Sequence, residues 1–212
     1  MGKIMSLKEL INIEELNKDF REKSPKEIVK WAFELKRKTI ITTNFRPYES
    51  AILHVVTKEN ALTKVIWCDS GYNTPQTYKH AETLIEQLQL KIALYVPKQT
   101  VAHRNSVLGL PTIDSDKHAL FTEQVKLEPF RRAMKEHQPE IWFTNLRKGQ
   151  TAFRNSIDIL SFSKDGILKV SPFYHWSDKE LDVYLEEHHL PNELRYFDPT
   201  KVESNRECGL HI

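Results

Sequence analysis

Apolar residues recur along the chain in two alternating patterns. One has the period of a helix, and the other consists of short β-branched or aromatic runs typical of buried strands. The first predicts helices over 5–20, 24–38, 50–59, 74–88, 118–137 and 175–191, and the second predicts strands over 39–45, 64–71, 91–97 and 140–146. Helices alternating with short apolar strands are typical of a parallel sheet covered on both faces. We therefore predict an α/β fold with a doubly wound, mostly parallel sheet.

Local signals refine two of these helices. Ser24 and Glu27 have the spacing of a capping box, and Pro25 stands between them at the first helical position. Pro129 is expected to break or kink the helix over 118–137, because proline lacks the N–H that a helix interior uses.

Composition indicates an ordinary globular protein. The 212 residues are 40% hydrophobic and 28% charged, and the net charge of +2 does not favour a nucleic-acid partner. There is no apolar run of membrane-spanning length and no signal peptide pattern, so we expect a cytoplasmic protein without membrane association. The two cysteines exclude a disulfide framework and a four-cysteine cluster, and no metal motif is present.

The length suits one domain with short additions. We predict an N-terminal helical segment over 1–23, an α/β domain over 24–195 and a C-terminal tail over 196–212. The tail begins in polar, loop-like sequence, and chain ends are usually poorly ordered unless contacts hold them. We therefore expect it to be mobile.

Ligands of doubly wound sheets bind beyond the carboxyl ends of the strands, so the residues there are the candidates for chemistry. The loop 42–46 suits a phosphate or sulfate, although a plain strand-to-helix turn is the simpler interpretation. Asp69 suits ribose hydroxyls or an adenine amino group, and with Gly71 it equally suits a β-turn. The cations of 147–154 favour an anion clamp over a solvated basic loop.

The two cysteines have different surroundings. Cys208 is close to the C-terminus, and a neighbouring cation such as Arg206 lowers the pKa of a thiol, which favours a reactive thiolate over a chance exposed cysteine. Cys68 stands in the apolar strand KVIWC and is expected to be an inert core thiol.

Six segments together resemble the phosphoadenylyl-sulfate (PAPS) reductases of assimilatory sulfate reduction, from about Ile28 to Ile212. They are TTNF (42–45), CDSGYNTPQTY (68–78), VKLEPFRRAMKE (125–136), WFTNLRKGQTAFR (142–154), KVSPFYHWSDKELDVYL (169–185) and the terminal RECGLH (206–211). Arg46 and Asn145 stand where that family has glycine. The resemblance implies the adenine nucleotide alpha hydrolase-like version of the doubly wound sheet.

The resemblance also implies a mechanism. Cys208 is then the nucleophile that takes a sulfonate from PAPS, and thioredoxin or glutaredoxin releases sulfite. Arg206 either orients the tail or stabilises the transferring sulfonate. The substrate-binding set implied is Thr42, Thr43, Asn44, Phe45, Asp69, Gly71, Lys126, Arg147, Lys148, Arg154 and His211. The family resemblance further implies a homodimer without a bound cofactor. The cysteine count excludes an iron–sulfur cluster on the pattern of the APS reductases, and the lack of a metal motif predicts no metal site.

Three alternatives remain open. One is a reductase of adenylyl sulfate (APS) without a cluster, and another is a diverged nucleotide-binding or thioredoxin-partner protein without catalysis. The third is an ATP pyrophosphatase-type enzyme, whose phosphate loop the segment SFSKDG (161–166) resembles. That segment lies between two apolar runs, where Asp165-Gly166 instead predicts a hairpin turn.

Overall fold

The computed structural model of the chain describes residues 6–112 and 114–200. Its sheet contains the strands β1 (Thr39–Thr43), β2 (Lys64–Cys68), β3 (Lys91–Tyr95), β4 (Ile141–Phe143), β5 (Leu160–Phe162) and β6 (Leu168–Val170). The order is β3-β2-β1-β4-β6-β5. All neighbouring pairs are parallel except β5 with β6. The predicted doubly wound, mostly parallel sheet is therefore confirmed.

The helices connect the strands and cover the sheet. They are α1 (Leu7–Leu10), α2 (Ile13–Phe20), α3 (Pro25–Glu34), α4 (Glu49–Glu59), α5 (Pro75–Leu88), α6 (Val101–Val107), α7 (His118–Thr122), α8 (Glu128–His137), α9 (Ala152–Asn155) and α10 (Asp178–Glu187). A π-helical turn, Glu123–Leu127, joins α7 to α8. Within the described ranges, no helix is long and apolar enough to cross a bilayer.

Buried side chains form a core on each face of the sheet. The larger core packs α3, α4, α5 and α10 against residues such as Ile41 and Val65. The smaller one packs α8 against the opposite face, where Trp142 and Ile66 lie. Strands buried on both faces have continuous apolar runs instead of alternation, which is why their positions could be predicted.

Three local predictions have clear outcomes. The helix expected over 5–20 is two helices, because Asn12 caps a new one by accepting a hydrogen bond from the N–H of Glu15. Pro129 does not break its helix: it lies in the first turn of α8, directly after the π-helical turn. The hairpin is confirmed, since Gly166 has a φ of +81° between β5 and β6.

Candidate functional site

A cavity opens beyond the carboxyl ends of β1, β2 and β4. Strand order reverses between β1 and β4, and such switch points are where doubly wound sheets bind ligands. The cavity is lined by Thr42, Thr43, Asn44, Arg46, Glu49, Ile66, Cys68, Lys126, Phe130, Trp142, Thr144, Asn145, Leu146, Arg154 and Asp198. Polar groups therefore converge here from four separate parts of the chain.

The loop after β1 is organised around the carboxylate of Glu49, the first residue of α4. Oε2 of Glu49 accepts hydrogen bonds from Thr43 Oγ1 at 2.8 Å and from the backbone N–H of Asn44 at 2.9 Å. It also accepts from the backbone N–H of Arg46 at 3.2 Å, and Oε1 accepts from Arg46 Nε at 2.9 Å. The donors that a phosphate would use at this loop are thus turned toward an internal carboxylate.

Strained backbone shapes the same loop. Phe45 and Tyr48 both have left-handed φ values, +53° and +66°, which are uncommon for residues other than glycine. The Phe45 ring is fully buried and packs edge-on against Trp67 with 4.8 Å between centroids. Its side chain is therefore part of the core, whereas Thr42, Thr43 and Asn44 of the predicted binding set do line the cavity.

Thr42 meets the opposite wall of the cavity through a side-chain contact. Trp142 Nε1 donates a hydrogen bond to Thr42 Oγ1 at 2.9 Å. Asn145 also lines this wall, and its Oδ1 atom is buried with no hydrogen-bond partner within the described part of the chain. A ligand donor would satisfy this buried acceptor.

Lys126 is presented to the cavity by the π-helical turn. Single π turns inside α-helices are frequent at functional sites, and this one leaves Lys126 buried at the cavity. Its Nζ atom forms an ion pair with Asp198 and donates a hydrogen bond to Thr200 Oγ1 at 3.1 Å. Burial by itself raises the pKa of Asp198, but the charge of Lys126 and the hydrogen bonds from Lys126 and Thr200 outweigh it and lower the pKa.

The predicted anion clamp is only partly assembled at the cavity. Arg154 is buried, lines the cavity and donates to the neutral Gln150 Oε1. Arg147 is buried beside α10 instead, where its guanidinium pairs with Asp178 at 2.6 Å and stacks over the ring of Tyr48 at 5.2 Å. Lys148 is exposed and is not among the lining residues.

Asp69 organises the turn after β2. Its carboxylate accepts hydrogen bonds from the N–H of Gly71 at 2.8 Å, from Asn73 Nδ2 at 2.9 Å and from the Tyr78 hydroxyl at 2.9 Å. Gly71 has a φ of +81°, and an added Cβ would lie 2.5 Å from Val101 Cγ2. Neither residue lines the main cavity, so their contacts match the turn interpretation, and their substrate-binding roles stay predictions.

Cys68 lies at the end of β2 and lines the cavity. Burial raises the pKa of its thiol to about 12, despite the nearby charges of Arg132 and Lys126. The thiol is therefore protonated at neutral pH, as expected of an unreactive cysteine. The predicted site residues of the tail, Arg206, Cys208 and His211, lie outside the described residues.

Sequence reasoning missed Glu49, Asp198 and Trp142. An acidic residue in the first turn of a helix usually indicates a favourable helix-dipole interaction, so Glu49 gave no distinct signal. Asp198 is 72 residues from its partner Lys126, and no local pattern links such residues.

Comparisons with known proteins agree on one family. The model of the phosphoadenosine phosphosulfate reductase domain matches residues 38–197. A phosphoadenosine 5′-phosphosulfate reductase of Xylella fastidiosa (strain 9a5c) is 30% identical, covering 100% of this chain and 99% of that protein. One from Aliivibrio salmonicida (strain LFI1238) is 28% identical, covering 100% and 94% respectively.

A solved structure agrees with these relatives. The crystal structure of PAPS reductase from Candida auris, in complex with phosphate, superposes with a TM-score of 0.77 at 27% identity, covering 90% of this chain and 91% of that one. We conclude that the chain belongs to the phosphoadenosine phosphosulfate reductase family of oxidoreductases.

Proposed function

We propose that the protein reduces PAPS to sulfite and adenosine 3′,5′-bisphosphate, with thioredoxin or glutaredoxin as the external reductant. The observation that carries the proposal is the cavity at the switch point of the sheet, where the buried cations Lys126 and Arg154 both line the wall. Buried cations suit the phosphate and sulfate oxygens of a sulfonucleotide, because an arginine or lysine strengthens hydrogen bonds to oxyanions.

The reaction consists of two half-reactions. The thiolate of Cys208 attacks the sulfur of the sulfate group, an S–S bond forms, and the bond from that sulfur to the phosphate oxygen breaks. Adenosine 3′,5′-bisphosphate leaves, and Cys208 carries a sulfonate. A thiolate of reduced thioredoxin then attacks Cys208 Sγ, sulfite leaves with the electron pair of the S–S bond, and the second thioredoxin thiol resolves the mixed disulfide.

Lys126 and Arg154 have distinct parts in this proposal. Lys126, a point charge on a π-helical turn, contacts the oxyanion that faces the tail side of the cavity. Arg154 contacts the phosphate and sulfate oxygens from the β4 side. Thr42 and Asn44 border the space left for the nucleoside. Arg206 orients the tail, and no bound cofactor, metal or cluster takes part.

The assembly and location belong to the same proposal. By family resemblance the enzyme is a homodimer that works in the cytoplasm, in the assimilation of sulfate. Nothing in this chemistry requires a nucleic-acid or membrane partner.

Mass spectrometry of the reduced protein after incubation with PAPS, and separately with APS, tests the proposal. We expect one SO₃ adduct with PAPS on the peptide that contains Cys208, and its release as sulfite on addition of reduced thioredoxin. Cys208→Ser should abolish the adduct, whereas Cys68→Ser, the matched control at the other cysteine, should retain it. An adduct with APS alone would reassign the substrate, and no adduct with either would overturn the proposed catalysis.

A further inference from the structure

The segment 196–200 lies against the cavity and is held there by Lys126. The Asp198 carboxylate forms an ion pair with Lys126 Nζ, and Thr200 Oγ1 accepts a hydrogen bond from the same nitrogen at 3.1 Å. Thr200 in turn donates from its hydroxyl to Asp198 Oδ1 at 2.6 Å and from its backbone N–H at 3.0 Å. One ammonium group thus holds both side chains.

This contact lies between two pockets. The main cavity contains Lys126 and Asp198 in its lining, and so does a smaller pocket bordered by Ser70, Asn73 and residues 196–199. The side chains of Lys126 and Asp198 are only 8% and 9% exposed. The buried ion pair therefore borders both pockets, as do Asn44 and Cys68.

The chain before this segment is fixed by other contacts. Asn192 Oδ1 accepts from the N–H of Tyr48 at 2.9 Å, and the carbonyl of Pro191 accepts from Ser50 Oγ at 2.6 Å. The carbonyl of Arg195 accepts from Thr74 Oγ1 at 3.1 Å. Pro191, Asn192 and Arg195 are thus anchored by contacts that do not involve Lys126.

An oxyanion and the Asp198 carboxylate compete for the same ammonium group. Lys126 is the cation that the proposed function assigns to the substrate, and in the structure a carboxylate already occupies it. We propose that the segment 196–200 is a displaceable latch, in which Asp198 holds Lys126 until an oxyanion of the bound nucleotide takes its place. This inference rests on the proposed function, because it requires an anionic nucleotide in the cavity.

The exchange is physically reasonable because neither charge is left buried alone. Lys126 replaces a carboxylate with a sulfate or phosphate oxygen, and Asp198 moves out into water. Cys208 is eight residues beyond Thr200 in the sequence.

Calorimetric titration with adenosine 3′,5′-bisphosphate tests the latch. Asp198→Asn keeps the shape of the side chain and removes the competing charge, so we expect binding about tenfold tighter than in the wild type, as when a closed state that competes with the ligand is removed. Asp158→Asn is the matched control, because Asp158 is also paired with a cation, Arg21, but does not line either pocket. It should leave the affinity unchanged.

Hydrogen exchange distinguishes a displaced latch from a contact that is only structural, because only displacement predicts faster exchange of this segment when the nucleotide binds. Adding the nucleotide to the wild type should increase exchange in the peptide that covers 193–200, since the latch is displaced. Reduced exchange there would overturn displacement. If Asp198→Asn does not fold, Thr200→Val provides the second variant, because it removes the bonds of the hydroxyl to both Lys126 and Asp198; the expected gain is about threefold.

The outcomes separate the two proposals. Equal or weaker binding by Asp198→Asn, with clear binding by the wild type, overturns the latch and leaves the proposed function intact. No binding by either chain overturns the nucleotide substrate, and the latch with it.

Discussion

Glu49 and Asp198 both place a carboxylate against donors of the same cavity, but they are anchored differently. Glu49 is three residues from Arg46 and begins the buried helix α4, so its position is fixed when the loop folds. Asp198 is 72 residues from Lys126, on a segment without helix or strand. The difference fits the proposed latch, in which the first carboxylate is a permanent part of the loop and the second is exchanged for a ligand.

The donors of the two carboxylates strengthen this distinction. Glu49 accepts hydrogen bonds from the backbone N–H groups of Asn44 and Arg46. These groups can turn toward another acceptor only if the backbone between β1 and α4 moves. Asp198 contacts a lysine side chain, which can turn toward another anion without any backbone change. A fixed carboxylate at the first loop fits the proposal that Lys126 and Arg154 bind the oxyanions of the substrate.

The largest expected effect is on the stability of the Glu49→Ala variant. The substitution removes one acceptor of the Arg46 side chain, together with the carboxylate that accepts from the Thr43 hydroxyl and from the N–H groups of Asn44 and Arg46. Breaking such a buried network should lower the free energy of unfolding by about 3 kcal/mol. Urea denaturation measures this loss.

The control is Glu59→Ala, an exposed position at the end of the same helix, which should change the free energy of unfolding by less than about 0.5 kcal/mol. A loss below about 1 kcal/mol at Glu49 would show that the loop does not depend on its carboxylate.

A smaller effect is expected for Asp198→Asn, since the segment 196–200 can detach and let water reach Lys126. The loss is then limited to the free energy of local docking, about 1 kcal/mol. The pKa of Asp198 is lowered in the folded protein, so the stabilisation by the ion pair is present at pH 7 and is lost as the pH falls below about 4. Urea denaturation of both chains should show their difference shrinking at acidic pH. A loss as large as that of Glu49→Ala would break the comparison, because Asp198 would then be part of the global fold.

Sequence patterns predicted the sheet better than the contacts at its edge. Ile40-Ile41 and Val65-Ile66-Trp67 are short apolar runs, and burial on both faces permits little else. The helix α6 was missed because VAHRNSV contains few apolar positions at helical spacing. Pro129 predicted a break or kink, but the sequence could not show that it would lie in the first turn of α8, or that a π-helical turn directly before that helix would leave Lys126 at the cavity.

The sequence could predict only those residues of the candidate site whose positions are determined by the ends of the strands. Thr42 and Thr43 line the cavity because they end β1, Asn44 directly follows that strand, and Arg154 lies on α9 beyond the end of β4, as the switch-point rule predicts. Arg147 follows β4 as well, yet it turns toward Asp178 at the start of α10. Which of several cations enters a cavity depends on the acidic partners that the fold brings near, and these partners are distant in sequence.

The smallest effect expected at neutral pH comes from His54, which lies away from both carboxylates and whose contribution changes only on acidification. Burial, and then the charges of His188 and Lys58, lower the pKa of His54 to about 4. Unfolded histidine takes up its proton near pH 6.5, as in free peptides, so between about 6.5 and 4 the unfolded chain holds more protons. The contribution of His54 to the free energy of unfolding is therefore highest above about pH 6.5 and decreases as the pH falls toward 4.

His54→Gln should flatten the pH dependence of the unfolding free energy between about 6.5 and 4, as measured by urea denaturation at several pH values. His103→Gln, at an exposed position of α6, is the matched control and should leave that dependence unchanged. This range lies above the one in which Asp198 loses its charge, so the two contributions can be separated in one titration. If the pH dependence of the unfolding free energy is unchanged in His54→Gln, the loss of stability above pH 4 comes from another group. The contribution of Asp198 would then have to be separated from the contribution of that group.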